Sequence, residues 1–138
     1  MANVQKAVPF FGVADMARSL RFYLDGLGFQ IKYKWIDEGK LRWCWLENGG
    51  AALMLQEYRK DGDHDWTPKG KLGEGVSICF ICQDAIAFYR ELRAREVEAT
   101  KPFVGNSMWV TSVTDPDGYH LDFESQTDAP EESEYEGE

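Results

Sequence analysis

His120, Asp122 and Glu124 stand two residues apart in the last apolar stretch, so as strand residues they would share one face. Imidazole and carboxylate together can hold a divalent ion or move a proton. One strand can hardly surround an ion, so the set reads first as a polar cavity edge. Asp122 is its most telling member. A carboxylate in an aromatic setting is costly unless paired, which points to a ligand cation, a hydroxyl partner such as Ser77, or a role as general base. Ser77 has no histidine base assigned near it and is a weak nucleophile without one. Trp43 and Trp45 also share a face, opposite Cys44 and Leu46, and offer rigid indoles suited to stacking. Met54 and Gln56 repeat that spacing with an adaptable thioether and an amide.

Two other patterns carry less. Cys79 and Cys82 form a C-x-x-C, but residues three apart in a strand point to opposite faces, so they read with Cys44 as buried free thiols of a reducing compartment. Asp61, Asp63 and Asp65 have the opening spacing of a calcium loop. The glycine expected next is Trp66 and the bidentate glutamate position holds Leu72, so calcium is not expected.

The elements that position these side chains are written twice. Phe22-Tyr23 and Phe88-Tyr89 each follow an apolar run ending in an aspartate, Asp15 or Asp84, and Gly50 and Gly118 each open an alternating apolar stretch, at a spacing of 66 to 69 residues. The first half predicts a strand over 5–13, a helix over 16–27 and strands over 29–36, 41–46 and 51–57. The second predicts a strand over 75–82, a helix over 84–95 with Asp84 as its N-cap, a short strand over 98–101 stopped by Pro102, and strands over 107–114 and 119–125 about an Asp-Pro-Asp-Gly turn. Neither half is large enough to bury a core alone. The expectation is one domain over 1–126, with module one at 4–57, a connector at 58–74 and module two at 75–126.

Composition narrows the function classes. With 43% of its 138 residues hydrophobic and 14% aromatic, the chain suffices for a packed core. Most of the −9 formal charge lies in 127–138, which has six acids and no base and reads as a disordered tail. No basic stripe suits nucleic acid, and no apolar run suits a membrane span. The start lacks the layout of a signal peptide, so a cytoplasmic protein is expected.

The doubled strand-helix-strand-strand-strand order, the stretch Asp15, Ser19, Phe22, Tyr23, Leu27, Gly28, Phe29 and the later Asp115-Pro116-Asp117-Gly118-Tyr119 together resemble the vicinal oxygen chelate superfamily, the glyoxalase/bleomycin resistance/dioxygenase family. The resemblance implies an α+β fold of two tandem βαβββ modules, curved mixed sheets with helices on the convex faces and a cavity on the concave side. It places metal-ligand positions at Val8, Ser77, Met54 and Asp122, of which only Asp122 is a usual ligand. It therefore implies the metal-free, bleomycin-resistance-like branch, typified by homodimers that sequester a drug or metabolite without chemistry. The expected cavity comprises Trp43, Trp45, Met54, Gln56, Ser77, His120 and Asp122, takes a cationic or aromatic small molecule, and needs no cofactor. The alternative is a lyase, isomerase or dioxygenase-like enzyme with Asp122 as general base, or with an atypical metal on His120, Asp122 and Glu124.

Overall fold

The computed structural model describes residues 2–59 and 67–138. Asp61, Asp63, His64, Asp65 and Trp66 lie outside the described residues, and with them the calcium-like spacing. The first module runs β1 (Phe10–Val13), α1 (Met16–Leu20), β2 (Gln30–Asp37), β3 (Lys40–Asn48) and β4 (Ala51–Glu57). The second runs β5 (Ser77–Ile81), α2 (Ala85–Ala94), β6 (Phe103–Gly105), β7 (Met108–Thr114) and β8 (His120–Gln126). Two four-stranded mixed sheets result, ordered β1-β4-β3-β2 and β5-β8-β7-β6, with β1 parallel to β4 and β5 parallel to β8.

Local chemistry explains the boundaries. The Asp15 carboxylate accepts the Arg18 N–H and the Asp84 carboxylate accepts the Ala87 N–H, so both helices are capped by aspartate. α1 continues as a wider π-type turn over Arg21–Gly26, and Gly28 follows with φ +85°, a left-handed conformation that favours glycine. Alternation sets the faces of the sheets. Cys44, Leu46, Leu53 and Leu55 are fully buried in the core with Tyr23 and Leu27, while Trp43, Trp45, Met54 and Gln56 between them are half-buried on the other face.

The modules meet in that core. Phe29 lies edge-on to Phe80 at 5.8 Å between centroids, and Phe11 stacks on Tyr119 at 4.2 Å. The 115–118 turn locks the junction. Asp115 Oδ1 accepts the N–H groups of Asp117, Gly118 and Tyr119 at 2.9, 3.0 and 2.9 Å, and the Tyr23 hydroxyl donates to Oδ2 at 2.8 Å. Asp117 accepts the Ala14 N–H at 3.0 Å, and the Tyr119 hydroxyl donates to the Gly12 carbonyl at 2.8 Å. The two sequence stretches that carried the resemblance are thus bonded to each other.

Four expectations are corrected. The first strand starts at Phe10 rather than residue 5, because Pro9, which lacks an N–H, precedes it and contributes only its carbonyl, to Met54 N. The short strand expected over 98–101 lies instead after Pro102, at β6, where pairing with β7 becomes available. Cys79 is exposed rather than buried, because its strand parity turns it away from the core.

The tail is not disordered in this structure. Glu132 N donates to Val104 O at 2.9 Å, Val104 N to Ser133 O at 2.8 Å, and Tyr135 N to Pro102 O at 2.9 Å. The Tyr135 ring meets Tyr89 and Trp109 edge-on at 6.2 and 6.4 Å, and Arg90 donates to its hydroxyl. Ladder bonds and a ring anchor offset the ordering entropy that composition alone left unmatched.

Candidate functional site

Strand register assembles an aromatic surface on the first sheet. Tyr33, Trp45, Met54 and Phe10 lie across β2, β3, β4 and β1 in one row, and Trp35, Trp43, Gln56 and Gly12 in the next. An irregularity between Ile31 and Tyr33 shifts β2 by one residue and brings Tyr33 opposite Trp45. Large apolar groups remain open to solvent here, with Phe10 47%, Tyr33 53% and Trp35 44% exposed. Tyr33 and Trp45 pack edge to face at 6.1 Å. The Trp45 indole N–H donates to Glu47 Oε2 at 3.0 Å, and Lys32 holds the same carboxylate at 3.3 Å. Lys6 sits over the Trp45 ring at 5.5 Å. Trp45 is therefore fixed by its polar edge.

The matching face of the second sheet is polar. Asp122 stands opposite Cys79 as Met54 stands opposite Phe10, so Met54 and Asp122 occupy equivalent places in the repeat. Ser77 Oγ donates to Asp122 Oδ2 and Ser112 Oγ to Oδ1, each at 2.6 Å. His120 is exposed, opposite Ser77 and Thr114. Glu124 accepts the Cys79 thiol. Partial burial, reinforced by Glu124, pushes that thiol up to about 12.

Within one chain the seven expected site residues thus form two groups. Trp43, Trp45, Met54 and Gln56 belong to the first sheet, and Ser77, His120 and Asp122 to the second. A cavity of about 950 Å³ between the modules is lined instead by others, among them Val8, Phe29, Ile78, Phe88 and Arg95, and by none of the seven. Sequence reasoning missed Phe10, Tyr33, Trp35 and Ser112. Tyr33 and Trp35 have the same two-residue spacing as the paired tryptophans, and the 37–40 turn folds them alongside. That signal was available.

The residues do not fit a metal centre of the kind the superfamily implies. Val8 and Met54 carry no nitrogen or oxygen donor on their side chains, and both Asp122 oxygens already accept serine hydroxyls. No group of three or more His, Cys, Asp or Glu side chains among the described residues is arranged to hold an ion, the trio His120, Asp122 and Glu124 included.

Comparison with known proteins settles the family. The model of the Glyoxalase/Bleomycin resistance protein/Dioxygenase superfamily matches residues 7–123. The chain belongs to this superfamily. Members of known structure share its fold. A bleomycin-binding protein complexed with bleomycin is 20% identical, with a TM-score of 0.67, covering 90% of this chain and 100% of its own. The antibiotic-binding protein TnmS3 from Streptomyces sp. CB03234 is 20% identical at 0.66, covering 91% and 100%. A glyoxylase/bleomycin resistance protein/dioxygenase domain from Frankia sp. EAN1pec is 15% identical at 0.70, covering 94% and 96%. No curated protein matches the chain in sequence. No helix among the described residues is long and apolar enough to cross a membrane.

Proposed function

We propose that this superfamily member is a metal-independent small-molecule binding protein that sequesters a drug or metabolite with a planar aromatic portion and a cationic or hydroxyl group. The observation that carries the reading is the open aromatic face of the first sheet, where Phe10, Tyr33, Trp35, Trp43 and Trp45 surround Met54 and Gln56. Flat, rigid side chains with few free donors suit stacking more than chemistry. The Ser77–Asp122–Ser112 cluster supplies one anchored carboxylate that suits the polar end of such a ligand. Because the two faces belong to different sheets, the reading takes the working unit to be a homodimer, the aromatic face of one chain opposing the acidic face of the other. Three free cysteines suit a cytoplasmic setting.

The neighbours bleomycin-binding protein and TnmS3 lend support at the level of fold alone. Fluorescence titration of the chelator-treated chain with metal-free bleomycin and with planar aromatic cations tests it. Quenching that Trp43→Ala or Trp45→Ala weakens at least tenfold, about 1.4 kcal/mol, supports the stacking role. Affinity unchanged from that of the unmodified chain in both variants would remove it.

A further inference from the structure

We infer that the acidic C-terminal segment is an edge guard: residues 132–135 occupy the free hydrogen-bonding edge of β6 and keep the second sheet from pairing with other strands. β6 is the terminal strand of its sheet and has only three residues. Its outer side would present unpaired backbone groups, and such edges template strand-to-strand association. Here Val104 N and Val104 O are both taken, by Ser133 O and Glu132 N, and Pro102 O is taken by Tyr135 N. Phe103 and Glu134 stand opposite one another in antiparallel register. The segment is therefore paired as a strand would be.

Two further contacts hold it there. Glu131 accepts the N–H groups of Asn106 and Ser107 at the β6–β7 turn, where both residues have positive φ. Tyr135 is pinned between α2 and β7 through Tyr89, Arg90 and Trp109. The new outer edge differs from the one it covers. Glu132 and Glu134, both exposed, and the exposed Glu136 and Glu138 after them give it like charge, and a second acidic edge approaching it meets repulsion rather than a template. β2, a terminal strand of the other sheet, carries Lys32 and Lys34, charged residues of the kind that blunt an edge.

Sedimentation across a wide concentration range, with amide exchange at Val104, tests the guard on three proteins. In the full chain Val104 N–H is protected and the mass is constant. In full-length Glu132→Pro, which removes one ladder donor and forbids the positive φ of Glu132, Val104 exchange accelerates at least tenfold and mass rises with concentration. Adding a peptide of residues 127–138 returns it to that of the full chain. Tyr135→Ala, which removes the ring but keeps the ladder, leaves the mass constant. Rapid Val104 exchange in the full chain, a constant mass in Glu132→Pro, or association in Tyr135→Ala equal to that in Glu132→Pro would each overturn the inference. The last result would assign association to the uncovered Tyr89 and Trp109 rings.

Discussion

Asp115 gathers three backbone N–H groups on one oxygen and the Tyr23 hydroxyl on the other. Asp115→Ala leaves those donors without their partner and is expected to destabilise by about 2–3 kcal/mol in urea unfolding. Burial pushes its carboxyl above the usual carboxylate range, so charge burial weakens the fold at neutral pH and is relieved as pH falls through the folded value toward the unfolded one. Relative to Asp115→Asn, the unmodified chain should gain stability between pH 7 and pH 4. A flat or falling difference would show that the buried carboxyl titrates normally. Cys79 is governed by similar physics. Its thiol is held protonated beside Glu124, so alkylation by iodoacetamide at pH 8 should be slow despite its exposure, and Glu124→Gln should speed it. Equal rates would mean that the carboxylate does not control the thiol.

At the scale of elements, what the sequence made legible follows from local rules. The Asp84 cap, the Asp-Pro-Asp-Gly turn and the alternation of Leu53 and Leu55 with Met54 and Gln56 depend on neighbours within a few residues, and the structure has them as read. What was not legible depends on distant partners. β6 forms where β7 and the tail can pair with it, not where 98–101 looked β-like. The aromatic rows required the β2 register shift, which no local pattern encodes. Long-range fit also fixes the connector. Gly73 has φ +76°, and a Cβ there would collide with the Gly118 carbonyl. Gly73→Ala should therefore cost more than about 1 kcal/mol, read as a lowered urea midpoint. An unchanged midpoint would show that the connector can lift away from the turn without loss.

For the whole molecule, the repeat built two equivalent sheet faces and then gave them opposite chemistry. Met54 and Asp122 occupy matching places, one among aromatic rings and the other between serine hydroxyls. The binding unit proposed above would use both faces, gripping a flat group on one and a polar group on the other. The sequence showed that these residues face the same way within each module, but the rows they form depend on strand pairing across each sheet. The most direct test follows the tryptophan indole N–H and methionine methyl resonances of the full chain by NMR, in excess chelator, as metal-free bleomycin and planar aromatic cations are added. The account predicts saturable shifts at Trp35, Trp43, Trp45 and Met54 with at least one probe, while Trp109 stays in place. Shifts confined to the cavity around Phe29, Phe88 and Arg95, or shifts that appear only when a divalent metal is restored, would contradict it.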